Sequence, residues 1–92
     1  MGDTKDTITV RGTEVEVDRD AMESWEVFEA LAALDSEDVN NFGKVQAAFD
    51  IAHSVCGLTK DEIVERCGGP KTKATDVIGY VAEIIKAAAP KN

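Results

Sequence analysis

Thr7-Ile8-Thr9-Val10-Arg11-Gly12-Thr13-Glu14-Val15-Glu16-Val17 reads as two short runs of alternating apolar and polar residues around a glycine. Period-two alternation puts Ile8 and Val10, and likewise Val15 and Val17, on one side of an extended chain. Arg11-Gly12-Thr13 supplies the turn, so residues 7–17 predict a β-hairpin. A two-stranded hairpin is marginal in water by itself. Its apolar face must therefore rest on helices or pair with another chain.

Working outward, the pattern changes from period two to helical spacing. Asp20 and Glu23 stand at capping-box spacing, and Trp25, Phe28, Leu31, Ala32 and Leu34 recur on one helical face, predicting a helix over 20–34. Glu23, Glu26 and Glu29 form its acidic face, and Asp35-Ser36-Glu37-Asp38 ends it. A second helix is expected from Phe42 to Cys56, with Phe42, Val45, Phe49, Ala52 and Cys56 as its stripe and Gly57 as its stop. The third has the clearest start. Thr59 and Glu62 form a capping box, with Leu58 and Ile63 at the positions of a hydrophobic staple, and the helix ends at Cys67 before Gly68-Gly69-Pro70. The last is expected over 72–89, with Ile78, Val81, Ile85 and Ala88 as its stripe, Val77 and Ile84 widening it, and Pro90 closing it. The fold class is α+β: an N-terminal β-hairpin followed by about four α-helices in one small domain, 1–92. Within it, residues 1–6 are a flexible N-terminus, 7–17 the hairpin and 20–89 the helical part.

Composition bounds the function. At 92 residues and 9.9 kDa, with 43% apolar and 30% charged residues, the chain has the make-up of one globular domain. Eighteen acidic residues against ten basic ones give a net charge of -8. That balance argues against tracking a phosphate backbone or an anionic membrane. The charge is also lopsided: residues 1–54 carry a net of -9 and residues 55–92 a net of +1. No apolar run is long enough to span a bilayer. Polar residues 1–6 lack the apolar core of a secretion signal, so a cytosolic protein is expected.

The motifs of common enzymes are absent from the sequence: there is no phosphate-binding loop, nucleophile elbow, zinc-protease helix or dinucleotide fingerprint. His53, Cys56 and Cys67 offer three soft ligands where structural zinc takes four. As a nucleophile and base, Cys56 and His53 lack any suggested third group to orient them. Two small apolar cysteines at helix ends are the favoured reading, and no cofactor and no metal are expected. Gly68-Gly69-Pro70-Lys71-Thr72-Lys73 could present amides and lysines to an anion, or could be an ordinary helix break, which is favoured. A DNA-binding alternative pairs the helix at 59–67 with the last helix, Lys71, Lys73 and Thr75 meeting the duplex across residues 59–89. The last helix carries mostly Ala, Val and Ile, not the Arg, Asn or Gln that read base edges.

Two apolar surfaces remain. Trp25 and Phe28 beside an acidic rim can be interface anchors or core. The last helix is apolar around more than half its circumference, through Val77, Ile78, Tyr80, Val81, Ala82, Ile84 and Ile85. So much apolar surface on so short a chain implies self-association, with the hairpin edge as a second place for it. The candidate partner-binding residues are Trp25, Phe28, Tyr80, Val81, Ile84 and Ile85.

The hairpin Ile8 to Val17, followed by Asp20-Ala21-Met22-Glu23-Ser24-Trp25-Glu26-Val27-Phe28-Glu29-Ala30-Leu31 and an acidic break, resembles the short tail assembly chaperones of long-tailed bacteriophages, including prophage copies. The resemblance covers residues 8–35, and beyond them only the helix order; Gly68-Gly69-Pro70 and its flanking lysines have no counterpart. It implies a non-enzymatic protein of the bacterial host cytoplasm that binds the helical tape measure protein while tail tube subunits polymerise around it. It also implies self-assembly in some members and a frameshifted longer product in many. No binding residue carries over by motif.

Overall fold

The computed structural model describes residues 5–88. Strands β1 (Lys5–Val10) and β2 (Thr13–Asp18) form an antiparallel hairpin. Helices α1 (Arg19–Met22), α2 (Trp25–Asp35), α3 (Asn41–Cys56), α4 (Lys60–Cys67) and α5 (Ala74–Ala88) follow, with a 3₁₀ turn at Gly69–Lys71 before the last. The expected α+β architecture is therefore present: a hairpin and then helices.

The hairpin turn has two residues, because Val10 pairs with Thr13. Arg11 and Gly12 take φ of 52° and 81°, the pair of positive angles that a type I′ turn requires and that matches the twist of the strands. Ile8 pairs with Val15, so Ile8, Val10, Val15 and Val17 share one face, and three of them are buried. That face lies on the helices, β1 against α5 and β2 against α3. The strands reach two residues before and one after the expected span, so Lys5 and Asp6 belong to β1. Residues 1–4, and the expected stop at Ala89 and Pro90, lie outside the described residues.

Arginines pin both ends of the hairpin. Arg11 donates to Glu83 of α5 from Nη2 at 2.5 Å and from Nε at 2.9 Å, and its guanidinium lies 5.4 Å from the centre of the Tyr80 ring. Arg19 pairs with Asp6 and donates to the Ala88 carbonyl at the end of α5. The Arg11 hydrogen bond holds the Glu83 carboxyl below the usual range.

The expected helix over 20–34 is two helices. Asp18, not Asp20, caps α1, accepting from the Asp20 and Ala21 amides. After Glu23 the chain restarts, with the Ser24 hydroxyl accepting from the Val27 amide as the cap of α2. Docked on α3, α2 buries Val27 fully, while Trp25 and Phe28 point to solvent. On α3 the buried residues are Ala47, Ala48, Ile51, Ala52 and Val55. The expected leader of that stripe, Phe42, is exposed. Small side chains let α2 and α5 both pack closely on α3.

The start of α4 is built as its residues predict. Thr59 Oγ1 accepts from the Glu62 amide at 3.2 Å and Glu62 Oε1 accepts from the Thr59 amide at 3.0 Å, while Leu58 and Ile63 are buried beneath them. Gly57 ends α3 with φ of 70°, in the left-handed region where a side chain is disfavoured. Thr59→Ala is expected to cost about 1 kcal/mol of unfolding free energy in urea titration.

Glu62 also sets a pH dependence. Its backbone and side-chain hydrogen bonds with Thr59 hold it below the usual 4.5. A depressed folded pKa contributes stability above the unfolded value and loses it as pH falls through the folded one. The stability gap between the wild type and Glu62→Ala should therefore narrow as pH is lowered below 4.5, read from urea midpoints across an acid series.

Candidate partner-binding surface

Helices α3 and α4 and strand β1 all pack against helix α5. Val77, Tyr80, Val81, Ile84 and Ala88, at spacings of three and four, form its buried stripe. This corrects the expectation for Tyr80, Val81 and Ile84 as partner-binding residues. They are 1%, 0% and 0% exposed, because the hairpin and α3 consume the face that looked surplus in the sequence. Ile85, off the stripe centre, is half-buried on the flank with Ile78.

That flank faces α2 across an open groove of about 590 Å³. Leu31, Ala32 and Leu34 form one wall, Ile78, Ala82 and Ile85 the other, and Asp35 and Lys86 stand on the rim. Phe28 and Trp25 continue the α2 wall toward its N-terminus, since Phe28 precedes Leu31 by three and Ala32 by four, and Trp25 precedes Phe28 by three. Trp25 is 70% and Phe28 58% exposed. Of the two readings open for them, interface anchor or core, the core reading fails.

Trp25 also borders a second groove, of about 480 Å³, between α2 and α3. Its ionisable lining among the described residues is Glu26, Glu29, Asp50 and His53, with no Lys or Arg. The Trp25–Phe28 ridge thus separates an apolar groove from an acidic one. The capping serine that starts α2 was readable in the sequence. The groove wall of Leu34, Ile78 and Ala82 was not, because it depends on α2 and α5 both packing on α3 and facing each other across a gap.

Of the residues considered for chemistry, His53 and Cys56 border one groove with Lys5, Glu16 and Asp18, while Cys67 is not in that lining and sits against Asp76. Cys56 and Cys67 are free and half-buried, and burial pushes the Cys56 thiol up to about 11, the opposite of what a nucleophilic thiolate needs. Cys67 donates weakly to the Asp76 carbonyl at 3.7 Å, and burial raises its pKa too. His53 is exposed on α3. Among the described residues, no group of three or more His, Cys, Asp or Glu is placed to hold a metal ion.

At the head of α5, the Lys73 amide already donates to the Asp76 carboxylate at 3.0 Å, so an anion there would meet a negative charge. The helix that the DNA-binding alternative lays in a groove is built into the core. Its solvent face holds Ala74, Thr75, Ala82, Lys86, Ala87 and the Arg11-paired Glu83. No described helix is long and apolar enough to cross a membrane. Comparison with protein-family models, curated proteins and solved structures finds no match for this chain.

Proposed function

We propose that this chain is a non-enzymatic assembly chaperone for long phage tails, acting in the bacterial host cytoplasm and holding the helical tape measure protein while tube subunits assemble. The observation that carries the reading is the exposed Trp25–Phe28 ridge beside the apolar groove between α2 and α5. Large aromatic side chains on the surface of a small acidic domain suit a protein that shields apolar segments of another, and the net charge of -8 keeps such a complex in solution. The resemblance of residues 8–35 to tail assembly chaperones supplies the identity of the partner. Self-association belongs to the same reading, and the strand edges of the sheet, which has two strands among the described residues, are a surface for it.

Co-expression with the tape measure protein of a matching tail gene cluster tests this reading. The expected result is a soluble complex that co-elutes on size exclusion, with the tape measure protein insoluble when expressed alone. A tape measure protein that is equally insoluble with and without the chain, and never co-elutes, overturns it.

A further inference from the structure

We infer that the Trp25–Phe28 ridge seats an amphipathic α-helix whose apolar stripe is edged by Lys or Arg. The inference deepens the chaperone reading and rests on it for the protein-binding role, but the chemistry of the occupant comes from the ridge itself.

Helix α2 has eleven residues, so about 16 Å of ridge is available, or three turns of a partner helix. Along that length Trp25, Phe28 and Ala32 are exposed. The groove beyond them, walled by Leu31 on one side and Ile85 on the other, is apolar. An apolar stripe at spacings of three and four would cover this surface, in the manner of helix-in-groove recognition.

Charge then selects among such helices. On the other side of Trp25 lie the carboxylates of Glu26, Glu29 and Asp50, and that groove is lined by no Lys or Arg among the described residues. Glu26, Glu29 and Asp50 are all exposed and make no side-chain ion pair among the described residues. A partner with acidic edges would bring like charges together there, whereas Lys or Arg would meet carboxylates beside the indole, whose face also attracts cations. A second copy of this chain is a poor occupant: its own α2 carries Glu26, Glu29 and Asp35 and no basic residue.

Trp25 is the sole tryptophan, so its fluorescence reports the site directly. The probes are two designed peptides of the same length and apolar stripe, one edged with Lys and the other with Glu. The Lys-edged peptide is expected to give a saturable blue shift, and the Glu-edged peptide to bind at least about tenfold more weakly. Phe28→Ser, which keeps every charge, and Glu26→Lys/Glu29→Lys should each weaken the Lys-edged peptide by about tenfold or more. Glu14→Lys/Glu65→Lys makes the same change in net charge at exposed positions away from the ridge and should leave the affinity within about twofold. Far-UV circular dichroism on each variant verifies folding, and Phe28 and the glutamates are exposed in the native chain.

Equal affinity for both peptides, no shift with either, or equal weakening by the two charge-reversal pairs would overturn the inference. So would a blue shift on concentrating the protein alone, which would make the occupant a second copy. A tape measure protein that co-elutes equally well with Phe28→Ser would sink this site while leaving the chaperone reading standing. Selective peptide binding without tape measure co-elution would do the reverse.

Discussion

Ile51→Ala is expected to lower the unfolding free energy by about 3 kcal/mol, and Trp25→Ala by less than about 1 kcal/mol, although the deleted indole is much the larger group. Ile51 lies at 0% exposure within the central cluster, so truncation leaves a cavity that its close-packed surroundings only partly collapse into. Trp25, at 70% exposure, already has most of its surface in water. In thermal unfolding the Ile51 change corresponds to a fall in Tm of roughly 12 to 24 °C for a domain of this size. Circular dichroism in a urea series measures both variants. If Trp25→Ala were as damaging as Ile51→Ala, Trp25 would belong to the core and the ridge would not exist.

Tyr80→Ala is expected to be more severe still, at about 3 to 5 kcal/mol, a large part of the 5 to 15 kcal/mol typical of a whole domain. Its ring is 1% exposed in the buried stripe of α5, where the hairpin, α3 and α4 converge, with the Arg11 guanidinium 5.4 Å from its centre. Tyr80→Phe isolates the hydroxyl, which accepts from Arg66 Nη1 at a long 3.4 Å, and should cost less than about 1.5 kcal/mol. Urea midpoints for the pair, with the ridge variant Phe28→Ser beside them, separate a core aromatic from a surface one. A Tyr80→Ala protein as stable as the wild type would return Tyr80 to the partner surface. Partner binding lost in Tyr80→Ala alone would report unfolding.

Short-range signals were the easiest to read. The Thr59–Glu62 box, the Gly57 stop and the Arg11-Gly12 turn all appear where the residues place them. In the first half Asp20 and Glu23 mimicked a capping box, while Asp18 and Ser24 do the capping. Aspartate and serine both accept amide hydrogen bonds, so several nearby candidates competed for the start of one helix. The break at Ser24 separates α1 from α2, and the docking of α2 on α3 then decides which face of α2 is covered. Val27 thereby takes the core position that the stripe of Trp25 and Phe28 had suggested for those two.

On the last helix the difficulty was of another kind. Seven apolar side chains, from Val77 to Ile85, cover more than half of the helix surface, and periodicity cannot rank faces within so wide an arc. Which of them pack inward depends on where the hairpin, α3 and α4 land. Tyr80, Val81 and Ile84 meet these elements, whereas Ile78 and Ile85 are left on the flank opposite α2.

The alternation and turn of the hairpin and the Thr59–Glu62 cap were legible because each depends on residues within about four positions of one another, where the backbone's own hydrogen-bonding needs dictate the choice. The exposure of Trp25 and Phe28, the burial of Tyr80 and the groove between α2 and α5 depend on how elements distant in the chain pack together. Burial is a property of that meeting. A side chain's apolarity says that it gains by leaving water, but which surface covers it is decided only when the helices pack.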